Sequence, residues 1–197
     1  MNGEFTRFPG NLTETVQMNA GIIADDFDPA TGVVGNLLGA TGSGITFQPN
    51  PAYEDLGADI DNVPANSMQL KRVKHYDPAL AGTFRTMTPA LAAMLSGAGA
   101  FDSQNAARFI PSHALTAADF QDVWVIGDYS DHNIGAGDAG YIAIHLINAL
   151  NPGGFRWKSN KDGKGEFEFD FHGHYDLTDP DAPPFEIYIR AGTAPAE

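Results

Sequence analysis

A chain of 197 residues, 43% hydrophobic and 18% charged, is long enough to bury a core and too apolar to be disordered. Its net charge of −14 argues against gripping a phosphate backbone, which needs a clustered basic surface. That charge serves solubility alone, or a surface that stays near a polyanion without adhering to it. The absence of cysteine excludes disulfides and thiolate chemistry, while 22 glycines and 13 prolines favour short strands and turns over long helices.

The N-terminal "MNGEFTRFPGNLTETV" has no apolar run. No signal peptide and no membrane span are therefore expected, and the chain is expected to be made and used, or assembled, in a cytoplasm. Residues 1–15 read as a polar arm, 16–191 as a single β-domain and 192–197 as a tail. "VQMNAGIIADDFDP" begins as a strand and ends in an acidic turn at Asp25, Asp26, Asp28 and Pro29. A strand is expected near Ile45 to Gln48. Residues 49–66, with three prolines and the carboxylates Glu54, Asp55, Asp59 and Asp61, read as one long exposed loop.

"SMQLKRVKHY" and "LAGTFRTMT" read as strands turned at Asp77-Pro78. "TPALAAMLSGAG" predicts a helix: Thr88 caps it, Pro89 takes its first position, Gly97 and Gly99 follow its end, and Leu91, Met94 and Leu95 share one face. "QDVWVIGDYS" reads as a strand covered on both faces. "YIAIHLINAL" reads as another, with a buried helix left open by periodicity. "GFRWKSN" and "GEFEFDFHGHYDL" flank Asp162-Gly163, a hairpin signal, and "PFEIYIRA" is a last alternating strand. The expected fold is mainly antiparallel β, a sandwich or partly closed barrel with one flanking helix, long loops and arms.

Within "FEFDFHGHYDLTD", alternation predicts a core face of Phe167, Phe169, Phe171, Tyr175 and Leu177. Opposite it lies a polar face of Glu166, Glu168, Asp170, His172, His174 and Asp176. Two histidines about 7 Å apart along a strand permit two ligands on one metal, but further ligands are required, and a charged outward face is the preferred reading. "GATGSG" lacks the Lys-Ser/Thr of a phosphate loop, and "DDFDPATG" has Ala30 where a calcium loop needs an oxygen. Ser130, Asp131 and His132 are contiguous, which does not make a triad. No catalytic residue, metal or cofactor is expected, and the chain is read as no enzyme. Lys71, Arg72 and Lys74 form the densest basic cluster, either a solvated strand face or a patch that meets an acidic surface on a neighbouring copy.

Four segments, "VQMNAGIIADDFDPATG", "ITFQPNPAYEDLGADIDNVPANSMQLKRV", "DVWVIGDYSDHNIGAGDAGYIAIHLINAL" and "GGFRWKSNKDGKGEFEFDFHGHYDL", carry a pattern that resembles the major tail tube protein of long-tailed, non-contractile bacteriophages and their prophage relatives. The resemblance spans roughly residues 16–190. It implies a β-sandwich or barrel core, hexameric rings stacked into a tube, and double-stranded DNA passing through the lumen without specific binding. A tape measure protein and tail terminator and distal tail proteins are the implied partners, and the virion, assembled in the host cytoplasm, the implied location. On this reading Glu166, Glu168, Asp170 and Asp176 are candidates for a lumen- or interface-facing acidic strand face. Glu54, Asp55, Asp59 and Asp61 form the candidate ring-stacking loop, and Lys71, Arg72 and Lys74 the candidate basic interface patch. The alternative is a carbohydrate- or host-surface-binding β-sandwich, which an exposed Trp157 would favour over the buried-looking Trp124.

Overall fold

The computed structural model describes residues 17, 19–129 and 140–191. Half of the described residues are strand and 9% are helical. A five-stranded antiparallel sheet takes its strands from both halves of the chain: β1 (Ile22–Ala24), β4 (Leu37–Gly39), β11 (Gln121–Asp128), β12 (Tyr141–Ala149) and β15 (Phe185–Arg190), in the order β15-β12-β11-β1-β4. A four-stranded sheet, β13-β14-β8-β5, is made of β5 (Thr41–Gln48), β8 (Ala79–Phe84), β13 (Arg156–Lys158) and β14 (Glu166–His172). The sheets do not close into a barrel; the fold is a sandwich. Three hairpins complete it: β2 (Phe27–Asp28) with β3 (Val33–Val34), β6 (Pro51–Asp55) with β7 (Lys71–Tyr76), and β9 (Gly99–Asp102) with β10 (Asn105–Pro111).

Alternation along the strands builds two cores. Ile23, Val123 and Leu146 face inward from one sheet and meet Leu80, Phe84, Phe169 and Phe171 of the other. Their neighbours Ala24, Trp124 and Ala143 point to the opposite face, where the β2–β3 hairpin covers them. Phe27 of that hairpin sits edge-on to Trp124 and Tyr141, with ring centroids 5.5 and 5.0 Å apart, an arrangement favoured by the ring quadrupoles. This double cover explains why "DVWVI" is apolar at every position after Asp122.

The one α-helix among the described residues, α1 (Pro89–Ser96), forms as its sequence predicts. The Thr88 hydroxyl accepts from the Leu91 N–H at 3.2 Å, Pro89 occupies the first turn, and Gly97 leaves the helix at φ +77°. Leu91, Met94 and Leu95 enter the main core, so α1 closes an open side of the sandwich. No helix among the described residues is long and apolar enough to cross a membrane.

Four sequence expectations change. Residues 51–55 are a strand, so the loop expected over 49–66 runs from 56 to 70 and ends in a 3-10 turn at Met68–Leu70. Pro51 opens β6, a position that demands no ladder donor from it. The expected strand around "HGHYDL" ends at His172. A Cβ on Gly173 would lie 2.6 Å from the Pro184 carbonyl oxygen, so the chain passes there with room only for glycine. Tyr175 and Leu177 are exposed, Leu177 at 95%, and belong to no core face. Asp162-Gly163 does lie in a hairpin, but within a wider connection, 159–165, between β13 and β14. The β9–β10 hairpin was not foreseen. Ser130, Asp131 and His132, together with the expected arm and tail, lie outside the described residues.

Candidate assembly surfaces

The most prominent feature is an arm. β5 and β8 pair up to Gln48 and Ala79, and the chain resumes pairing at Pro51 and Tyr76, so β6–β7 continues the β5–β8 ladder beyond the sheet. Residues 71–84 alone span roughly 45 Å at about 3.3 Å per extended residue. At the junction Asn50 adopts φ +41°, its Nδ2 donates to the Asp77 carbonyl at 3.0 Å, and the Asp77 N–H donates to the Asn50 carbonyl at 3.4 Å. Asparagine tolerates this left-handed conformation better than most side chains. Tyr76 and Phe47 pack on Phe185 with centroids 5.2 and 5.5 Å apart, and the Tyr175 hydroxyl accepts from the Tyr76 N–H at 2.8 Å. The arm root is thus fastened to both sheets.

The candidate stacking loop and the candidate basic patch prove to be two sides of this one hairpin. Glu54 opposes Arg72 and Asp55 opposes Lys71. Arg72 grips Glu54 with two nitrogens at 2.8 and 2.9 Å, while Lys71 donates to the Asn66 side-chain oxygen at 2.8 Å. Strand alternation also splits the patch, with Lys71 and Arg72 on opposite faces of β7, while Lys74 sits at a register shift that interrupts the alternation. Asp55 braces the tip: its carboxylate accepts from the Gly57 N–H at 2.9 Å and the Asn66 N–H at 2.7 Å, which holds its pKa below the usual carboxylate value. Asp59 and Asp61 project from the tip, exposed, beside exposed Leu56 and Ile60.

The β14 polar face is less acidic than its sequence. Glu166 lies 2.9 Å from Arg85 and 3.4 Å from Lys158, and the Arg85 contact above all lowers its pKa. Glu168 has Arg156 at 3.8 Å. Asp170 is exposed, while Asp176 lies past the strand and caps a turn through the Thr178 N–H and hydroxyl, both at 2.8 Å. Three of the four carboxylates therefore share a strand and the fourth does not. The two histidines separate as well: His172 Nδ1 lies 3.1 Å from Asp77, and His174 Nδ1 lies 3.0 Å from the Asn148 carbonyl. Among the described residues no group of three or more His, Asp or Glu could hold a metal ion. The acidic run at Asp25 and Asp28 is occupied by turn hydrogen bonds from Asn36, Ala30 and Thr31.

Three features escaped the sequence reading. Arg156, Lys158, Lys161 and Lys164 gather on the β13–β14 hairpin, where Trp157 is 66% exposed beside exposed Phe155. The signal was present, since these are four of the chain's 11 Lys and Arg within nine consecutive residues, two on β13 and two in the connection that follows it. β15 is an edge strand whose Ile187 and Ile189 are exposed, Ile189 at 63%. Finally, His145 stacks on Trp124, with ring centroids 4.0 Å apart and planes 7° apart, and sits between two carboxylates. Its Nδ1 faces Glu186 at 3.3 Å; its buried Nε2 lies 3.2 Å from Asp122 without hydrogen-bond alignment, so that contact is ionic rather than directional. Burial of the ring pushes its pKa down, but the two carboxylates outweigh that and raise it.

No protein-family model matches the chain, and no curated protein matches it in sequence.

Proposed function

We propose that this chain is a structural tail tube protein, assembled as hexameric rings that stack head to tail into the conduit for genomic DNA. One observation carries the reading most. A braced hairpin arm runs off a two-sheet sandwich and presents apolar Leu56, Ile60 and Met68 at its tip, surface that a solitary monomer has no use for. Among the described residues the outer strands of both sheets have no further partner strand, and a ring of copies covers such edges. A net charge of −14 suits a bore through which DNA slides, since like charges prevent adhesion. On this reading the chain acts as no enzyme and needs no cofactor. It meets a tape measure protein in the lumen and terminator and distal tail proteins at the tube's ends, all within the virion.

Electron microscopy of purified protein across concentration and salt tests this: rings or tubes are expected, and a strictly monomeric species throughout would overturn it. Exposed Trp157 beside Phe155 favours one second reading, a carbohydrate-binding sandwich that uses these rings as a platform. Glycan-array binding by a monomer, lost in Trp157→Ala, would select that reading instead.

A further inference from the structure

The register of the four-stranded sheet separates two surfaces of opposite charge. β14 pairs with β8 from His172–Ala79 at one end to Phe167–Phe84 at the other. The arm leaves at the Ala79 end, because β7 runs directly into β8 there. The 159–165 turn leaves at the Phe84 end, because Lys158 opposes Glu166. An acidic tip and a basic turn therefore stand at opposite ends of one sheet. A single copy cannot bring them together.

Their chemistry is matched. From residue 54 to 70 the arm carries four carboxylates and no cation, and from 156 to 164 the hairpin carries four cations and one carboxylate, Asp162. On each side half of the charge is already engaged. Glu54 and Asp55 are held within the arm, while Arg156 and Lys158 lean on Glu168 and Glu166. Asp59 and Asp61 on one side, and Lys161 and Lys164 on the other, form no ion pair among the described residues. Both surfaces also expose apolar groups beside these charges, Leu56 and Ile60 at the tip and Trp157 at the turn. The tip is already ordered, with Leu56 N–H donating to the Leu70 carbonyl at 2.9 Å and Asp55 tying Gly57 to Asn66, so docking spends little conformational entropy on it.

We infer that the arm tip of one copy docks on the β13–β14 turn of the next, Asp59 and Asp61 facing Lys161 and Lys164, with Leu56 and Ile60 against Trp157. Such a contact joins different surfaces on the two copies, so it propagates head to tail rather than closing a dimer. Opposite charge sets partner and register, and the apolar pair supplies burial. The inference rests on the self-assembly proposed above and names the two surfaces that meet.

Paired charge reversal tests it. Asp59→Lys/Asp61→Lys alone, and Lys161→Glu/Lys164→Glu alone, are each expected to weaken self-association at least about tenfold in sedimentation velocity at low salt. Both reversals in one chain are expected to restore it. Because the chain has no cysteine, a second measurement is free of background: a mixture of Asp59→Cys and Lys161→Cys proteins should give a disulfide-linked dimer on oxidation, and neither variant alone should. Tubes that form unaffected by all three charge variants, with no mixed crosslink, would overturn this contact and leave the tube reading standing. A wild-type chain that stays monomeric and yields no crosslink would overturn both.

Discussion

Asn151 is the one buried polar side chain among the described residues, and it joins three elements. Its Nδ2 donates to the Leu95 carbonyl near the end of α1 at 2.7 Å and to the Gly154 carbonyl at 3.0 Å, while its Oδ1 accepts from the Asp170 N–H of β14 at 3.1 Å. Asn151→Ala leaves a helix-end carbonyl and a strand N–H without partners, so a loss of about 2–3 kcal/mol is expected in urea unfolding. His145 makes a prediction with a pH sign. Its folded pKa is raised above the unfolded value, so its contribution is fully present below about pH 6.5 and fades as pH rises through the folded value. His145→Gln should therefore cost roughly 1–2 kcal/mol at pH 6 and much less at pH 9. Equal losses at both pH values would show that the ring acts through its stacking on Trp124 alone.

At the scale of elements, what was legible in the sequence was local. Thr88, Pro89 and Gly97 punctuate α1, and the Phe167, Phe169, Phe171 alternation marks a half-buried strand, because both signals sit within a few residues. What could not be read needs pairing across the chain. "PAYED" looks like loop until β7 supplies Arg72 opposite Glu54 and Lys71 opposite Asp55, and the β14 acidic stripe looks repulsive until Arg85 and Arg156 are placed beside it. Tyr175 and Leu177 continue the alternation of β14 in sequence, but the tight passage of Gly173 beneath Pro184 ends the strand first. The arm root offers a direct test of element geometry. Asn50→Val puts a β-branched residue at φ +41°, which should cost about 1–3 kcal/mol in thermal unfolding and disturb arm-dependent assembly before the core melts. A variant that unfolds like wild type would show that the bend is not fixed by this residue.

At the scale of the molecule, β15 is an outer strand among the described residues and exposes Ile187 and Ile189. Ile187→Lys/Ile189→Lys should leave thermal stability within about 0.5 kcal/mol, since both side chains already meet water, yet raise the monomer fraction in sedimentation experiments. Unchanged association would place the contacts between copies elsewhere. The same edge has a bearing on supply. An isoleucine-lined outer strand can template on an extended segment it meets, so the time a new chain spends alone becomes a hazard that grows with its concentration. On the self-assembly proposed above, productive capture by a matching copy must outrun that misdirected pairing. Yield should then depend on how fast chains are made relative to how fast they find one another, and slow, cool expression should give more ordered material than a rapid burst.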